Sequence, residues 1–238
     1  MYEAVHALPD GESTVARMAL TASDYGFDGI VVRNHGDGPA SYDPAAIRAE
    51  YGIDVVPGVE VRADDPSRAS GFVGNHRADQ TVVAVHGGTP TMNRFAVEQP
   101  AVDVLAHPMV GDGDFNHVLA REAAKNGVRV ELSFRGVLRR DGGPRVQALR
   151  GLRKLHELLT HYDAPFVVSA DPTSHLHLRG PRELIALGEQ VGIPEDDVET
   201  GLREWHRLAE RNRDRQSDAF VEPGVWQGAR ADADTDDS

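Results

Sequence analysis

The 238-residue chain contains no cysteine. That excludes disulfides, thiolate zinc sites and cysteine nucleophiles together, so any metal would have to be held by histidine and carboxylates. Lysine is nearly absent too: only Lys125 and Lys154 occur, and the rest of the 25 basic residues are arginine. No run reaches the roughly 18 apolar residues that a membrane helix needs, and the opening MYEAVHALPDGEST lacks the charged and apolar regions of a signal peptide. These absences predict a soluble cytoplasmic protein with no membrane partner. Neither a Gly-x-Gly-x-x-Gly run nor a P-loop follows the first strand-like segment, which argues against a nucleotide-binding open sheet.

What is present is acid, with one exception. The formal charge is -13, yet Arg129 to Arg182 holds ten Lys/Arg against five Asp/Glu, a block of +5 that leaves the remainder at -18. Arginine-dominated bases in a strongly acidic chain resemble adaptation to molar salt. There the Debye length falls to about 3 Å, so acidic surface does not repel RNA at long range while close bidentate arginine contacts can persist. Within the basic block Leu149, Leu152, Leu155, Leu159 and Tyr162 follow helical spacing and form one apolar face. Arg150, Arg153 and Lys154 fall on the opposite side, with no acidic residue one turn from all three. A solvated helix face accounts for that pattern, and so does an anionic partner, of which nucleic acid is the commonest.

In chain order, strand-like runs fall at 2–6, 28–33, 53–62, 81–86, 102–107, 128–134 and 166–170. Helices are predicted from Ser13, as N-cap, to Tyr25, from Pro44 to Tyr51, near 91–98, from Phe115 to Asn126, from Pro144 to Tyr162, from Pro181 to Val191 and from Glu195 to Asn212. Pro57 argues for an edge or a bulge in the third strand, and the polar segment 64–79 reads as a loop. Alternating strands and helices imply parallel pairing with right-handed crossovers. The expected architecture is an α/β fold, a distorted TIM-like (β/α) barrel of about seven parallel strands, with 1–227 as one domain and 228–238 as a disordered acidic tail.

Polar groups gather at the carboxyl ends of these runs: His6, Asn34, His35, Glu60, His86, His107, Ser133, Arg135 and Asp171. In a parallel barrel those ends share one rim, where barrel enzymes place their chemistry, and imidazole with carboxylate suits zinc or manganese. Pro57-Gly58-Val59-Glu60-Val61, Ala106-His107-Pro108 and Val168-Ser169-Ala170-Asp171 resemble motifs of the polymerase-and-histidinol-phosphatase (PHP) superfamily of metal-dependent phosphoesterases. The opening departs from it. Where that superfamily has Asp-x-His-x-His this chain has Tyr2-Glu3-Ala4-Val5-His6, so His6, Glu60, His86, His107 and Asp171 are vestigial metal candidates, and the favoured reading of them is a rim of mutually satisfied polar side chains.

A second resemblance covers roughly 102–192. Asn116-His117-Val118-Leu119-Ala120, Leu132-Ser133-Phe134-Arg135, Ala148-Leu149-Arg150 continuing to Lys154, and Val168-Ser169-Ala170 followed by Leu178-Arg179-Gly180-Pro181-Arg182-Glu183-Leu184 are similar, in order and spacing, to the archaeal ribonuclease P protein component 3 family. That resemblance implies a PHP-derived barrel serving as a noncatalytic subunit of the ribonucleoprotein that removes 5′ leaders from precursor tRNA. Its implied partners are the ribonuclease P RNA, a Pop5-type protein subunit and, through the holoenzyme, precursor tRNA. No tightly bound cofactor is implied, magnesium accompanying the RNA instead. The basic positions it assigns to RNA are Arg135, Arg150, Lys154, Arg179 and Arg182, with Arg153 added by the helix geometry. The competing expectation is a stand-alone metal-dependent phosphoesterase of the PHP type.

Overall fold

In the computed structural model, residues 1–217 are described in full, and 220–222 and 225–226 as backbone. Strand and helix alternate through β1 (Tyr2–Val5), α1 (Val15–Asp24), β2 (Gly29–Val32), α2 (Pro44–Tyr51), β3 (Asp54–Val61), α3 (Pro66–Arg77), β4 (Val82–His86), α4 (Pro90–Glu98), β5 (Val104–Ala106) and α5 (His117–Asn126). The series continues with β6 (Arg129–Ser133), α6 (Arg135–Arg139), α7 (Gly142–His161), β7 (Phe166–Ser169), α8 (Pro181–Val191) and α9 (Glu195–Gln216). A short antiparallel pair, β8 (Phe220–Glu222) and β9 (Val225–Trp226), follows α9 and was not foreseen from the sequence. The expected acidic tail, 228–238, lies outside the described residues.

The seven parallel strands stand in sequential order, β1 to β7, as a nearly closed barrel. Strand alternation divides the apolar residues into two clusters. Val5, Ile30, Val32, Val55, Val83, Leu105, Val130 and Leu132 face the surrounding helices. Tyr2, Ala4, Val31, Val56, Val82, Ala84, Val104 and Val167 form a separate interior cluster with Trp205, Leu208 and Ala209 of α9.

No ladder joins β7 back to β1. One backbone bond crosses the seam, from the His6 amide to the Pro172 carbonyl at 3.0 Å, and side chains do the rest: Glu3 accepts from Ser169 Oγ at 2.6 Å and from the Ala170 amide at 3.0 Å, and the Trp205 indole donates to the Val168 carbonyl at 2.9 Å. Helix α9 also covers the mouth at the strands' amino ends. Arg213 pairs with Asp54, Arg211 with Asp103, and Glu204 with Arg129, while Asn212 donates to the Thr81 carbonyl.

Several local expectations need correction. Segment 64–79 is not a loop: Asp65 caps α3 by accepting the Arg68 amide at 3.0 Å, and Pro66 occupies the first turn. Thr14, not Ser13, caps α1, because the Ser13 hydroxyl is engaged by His175 across the seam. Pro57 does not mark an edge. It lies inside β3 where the strand changes partners, residue 57 registering with Val32 and residue 58 with Val82. Helix α6 was missed altogether, and α7 begins two residues before Pro144.

Candidate functional site

The inward-facing positions change character along the barrel. Above the apolar layer of Tyr2, Val31, Val56, Val82 and Val167 come Ala4, Gly58, Ala84 and Ala106. At the carboxyl rim stand His6, Arg33, Glu60, His86, Glu131, Ser133 and Asp171, each two or four residues beyond an inward neighbour. His107 and Asp171 have φ of 53° and 48°. Such left-handed backbone is costly for non-glycine residues and collects at functional sites.

Arg33 stands at the centre of this rim, fully buried. Its Nη1 donates to Glu60 Oε2 at 2.9 Å, and its Nη2 donates to Glu131 Oε1 at 2.5 Å and to Asp171 Oδ1 at 3.3 Å. Those carboxylates are themselves at most 2% exposed. Around them stand the imidazoles of His6, His35, His86 and His107. His6 Nε2 lies 3.5 Å from both Glu60 and Asp171, and its Nδ1 meets Asp10 at 3.0 Å. The other oxygen of Glu60 faces His86 Nδ1 at 2.5 Å, with His35 and His107 each at 3.5 Å.

The charges govern the titration. Burial alone would raise the Glu60 carboxyl, but His107, Arg33 and hydrogen bonds from His35 and His6 hold it well below the usual carboxylate range. Asp171 is likewise lowered against burial by His107, Arg33 and His6. For His6, burial pulls down, and hydrogen bonds to Asp10 and Glu60 overcome it and push the imidazole up to about 9.

The resemblance of the rim motifs to the PHP superfamily implies a metal cluster, and three donor groups have ligand atoms within 4.8 Å of one another: His6/Asp10/His35, His6/His107/Asp171 and His35/Glu60/His86. A cluster of several ions does not fit these residues. Glu60 and Asp171 each commit an oxygen to Arg33, Asp10 is taken by His6 and His35, and Tyr2 and Ala4, at the missing ligand positions, are packed in the apolar interior.

The basic residues singled out from the sequence are not one surface. On α7, Leu152, Leu155 and Leu159 are buried as expected, and Arg150 is exposed without an ion pair among the described residues. Lys154 pairs with Asp114 at 2.8 Å, and Arg153 donates to the Val191 carbonyl at 2.6 Å, so the opposite face is less free than its spacing implies. Arg135 donates to the Asp171 carbonyl at 3.1 Å, and Arg179 to the carbonyls of Leu176 and Leu178. Arg182 sits apart, in a groove shared with Asp24, Asp28, Glu183 and Glu199. Sequence reasoning passed over Arg139 and Arg140. Arg139 reaches the Asp171 carbonyl at 2.6 Å, while Arg140 is exposed at the edge of a cavity of about 100 Å³ lined by His107, Glu131, Ser133 and Arg135.

A seven-stranded parallel barrel with a histidine- and carboxylate-lined rim defines the class: a PHP-like α/β barrel. A zinc-bound histidinol phosphate phosphatase from Lactococcus lactis shares the fold at 11% identity, with a TM-score of 0.54 over 81% of this chain and 94% of that one. The model of the family described as RNase P subunit p30 matches residues 1–217, and the chain belongs to that family. Ribonuclease P protein component 3 of Haloarcula marismortui is 64% identical over the whole of both chains, and that of Methanosarcina mazei is 38% identical over 82% of this chain and 81% of its own. A chain in the cryo-EM structure of archaeal ribonuclease P with mature tRNA has the same fold, with a TM-score of 0.80 at 23% identity over 94% of this chain and 96% of that one.

Proposed function

We propose that the chain is a protein subunit of ribonuclease P, the endoribonuclease that removes 5′ leaders from precursor tRNA, and that it supports RNA folding and binding rather than the chemical step. The observation that carries this is the full-length likeness to ribonuclease P protein component 3 of Haloarcula marismortui. The rim supports the noncatalytic part of the reading, since its carboxylates are occupied by an internal arginine and offer no open set of ligands for activating water. The stand-alone phosphoesterase is not favoured for the same reason.

Its partners are the ribonuclease P RNA, a Pop5-type protein subunit and, through the assembled enzyme, precursor tRNA. The chain works in the cytoplasm without a tightly bound cofactor, and magnesium belongs to the RNA. No described helix is long and apolar enough to cross a membrane. The RNA-facing surface runs from Arg140, exposed in the turn between α6 and α7, along α7 to the exposed Arg150, with Arg135, Arg153, Lys154 and Arg179 as flanking contacts and Arg182 a separate one.

Reconstitution with RNA and partner protein tests the reading. Arg140→Glu with Arg150→Glu leaves the circular dichroism unchanged, weakens RNA binding, and flattens the dependence of log affinity on log salt by about one per lost phosphate contact. Unaltered binding and leader removal at limiting subunit would refute this surface. Leader cleavage by the RNA-free chain would refute the noncatalytic role.

A further inference from the structure

Three carboxylates from three parts of the barrel, Glu60 on β3, Glu131 on β6 and Asp171 after β7, direct oxygens at one guanidinium within 3.3 Å. The arrangement is dry, because Arg33, Glu60, Glu131 and Asp171 are all 0–2% exposed. Below, the Arg33 guanidinium lies 5.8 Å from the Trp205 ring centre. Its Nε has no hydrogen-bond partner among the described residues, so the group is held through its two terminal nitrogens and its charge. Oxygen donors together with the nearby His6 imidazole are the chemistry that manganese or zinc favours.

We propose that the Arg33 guanidinium takes the place of a divalent cation in this rim: it gathers the carboxylates that would otherwise bind metal and converts a catalytic centre into a structural one. A planar fork can serve several carboxylates at once, whereas an ammonium would act as a single point charge. Any inner divalent ion would have to share Glu60 or Asp171 with a buried positive charge, and that repulsion is poorly screened away from water. Position 33 reaches the rim because it follows Val31 on the inward side of β2.

The inference requires no RNA contact, so its failure leaves the ribonuclease P assignment untouched and bears only on the noncatalytic role of the rim. Manganese binding is measured by paramagnetic resonance, and thermal unfolding is followed with and without Mn²⁺, on the unaltered chain, Arg33→Met and Arg33→Met with Glu131→Gln, in molar potassium chloride. The unaltered chain should retain no stoichiometric manganese after dialysis, with Tm indifferent to the ion. Arg33→Met should gain about one ion per chain, and Mn²⁺ at about a hundredfold its dissociation constant should raise Tm by roughly 5–10 °C. If Arg33→Met folds only with Mn²⁺, the proposal is supported directly. If it does not fold at all, the double variant, with one buried charge fewer, supplies the same readouts. Stoichiometric manganese on the unaltered chain overturns the proposal. So does a folded Arg33→Met without affinity for the ion, or failure of Mn²⁺ to rescue either variant.

Discussion

Glu3 is a buried carboxyl whose charge is poorly compensated. Burial pushes it up to about 7, against hydrogen bonds from Ser169, Ala170 and Ala4 and the distant attraction of Arg33. A carboxyl whose folded pKa exceeds its unfolded value contributes stability in full below the unfolded pKa and loses it as pH rises through the folded one. The window therefore runs from about 4.5 to about 7, and its size is on the order of 3 kcal/mol. Glu3→Gln should flatten that stretch of the stability-versus-pH curve, measured by denaturant unfolding; an unchanged slope would place the proton elsewhere. The sequence marked His6, Glu60, His86, His107 and Asp171 as rim residues because polar groups at strand ends are conspicuous. Arg33 was passed over, since an arginine ending an apolar strand reads as one reaching for water. Its period of two with Val31 was the available signal, and what hid it was that its carboxylate partners lie 27, 98 and 138 residues away.

Helix α9 holds the seam through one side chain above all. Trp205 fills the interior cluster and donates to a carbonyl that β1 leaves unpaired. Trp205→Ala should destabilise by about 3–5 kcal/mol, read by urea unfolding. Trp205→Phe, which keeps the ring but removes the indole N–H, should cost distinctly less, and equal losses would argue that packing alone matters. Most elements were legible because their signals are local: Asp43-Pro44 opens α2, Gly52 and Gly127 end helices at φ 66° and 65°, and the leucines of α7 keep a helical period. Helix α3 was not legible. Gly71 and Gly74 sit in its interior and only Ala69 and Val73 are buried, so neither propensity nor amphipathicity announced it. The basic face of α7 was legible as a pattern but not as a free surface. Asp114 and the Val191 carbonyl, which engage Lys154 and Arg153, come from other elements.

As a whole the molecule is an acidic body, at -13, with one basic block. If that block lies along RNA, fixed guanidinium charge substitutes for part of the ion atmosphere that lets phosphates approach one another. Adding this chain with its partner protein to the cognate RNA should therefore raise the rate of leader removal and lower the magnesium concentration for half-maximal activity. An unchanged magnesium requirement together with an unchanged rate would contradict this role. The topology has a separate bearing on synthesis. Because β1 meets β7 without a ladder, through Glu3 and the His6 amide, β1 keeps an open edge until β7 has left the ribosome. A nascent chain halted before Trp205 would hold all seven strands with the seam bonded through Glu3 and His6 but the amino-end interior unfilled, so completion of the barrel waits for α9.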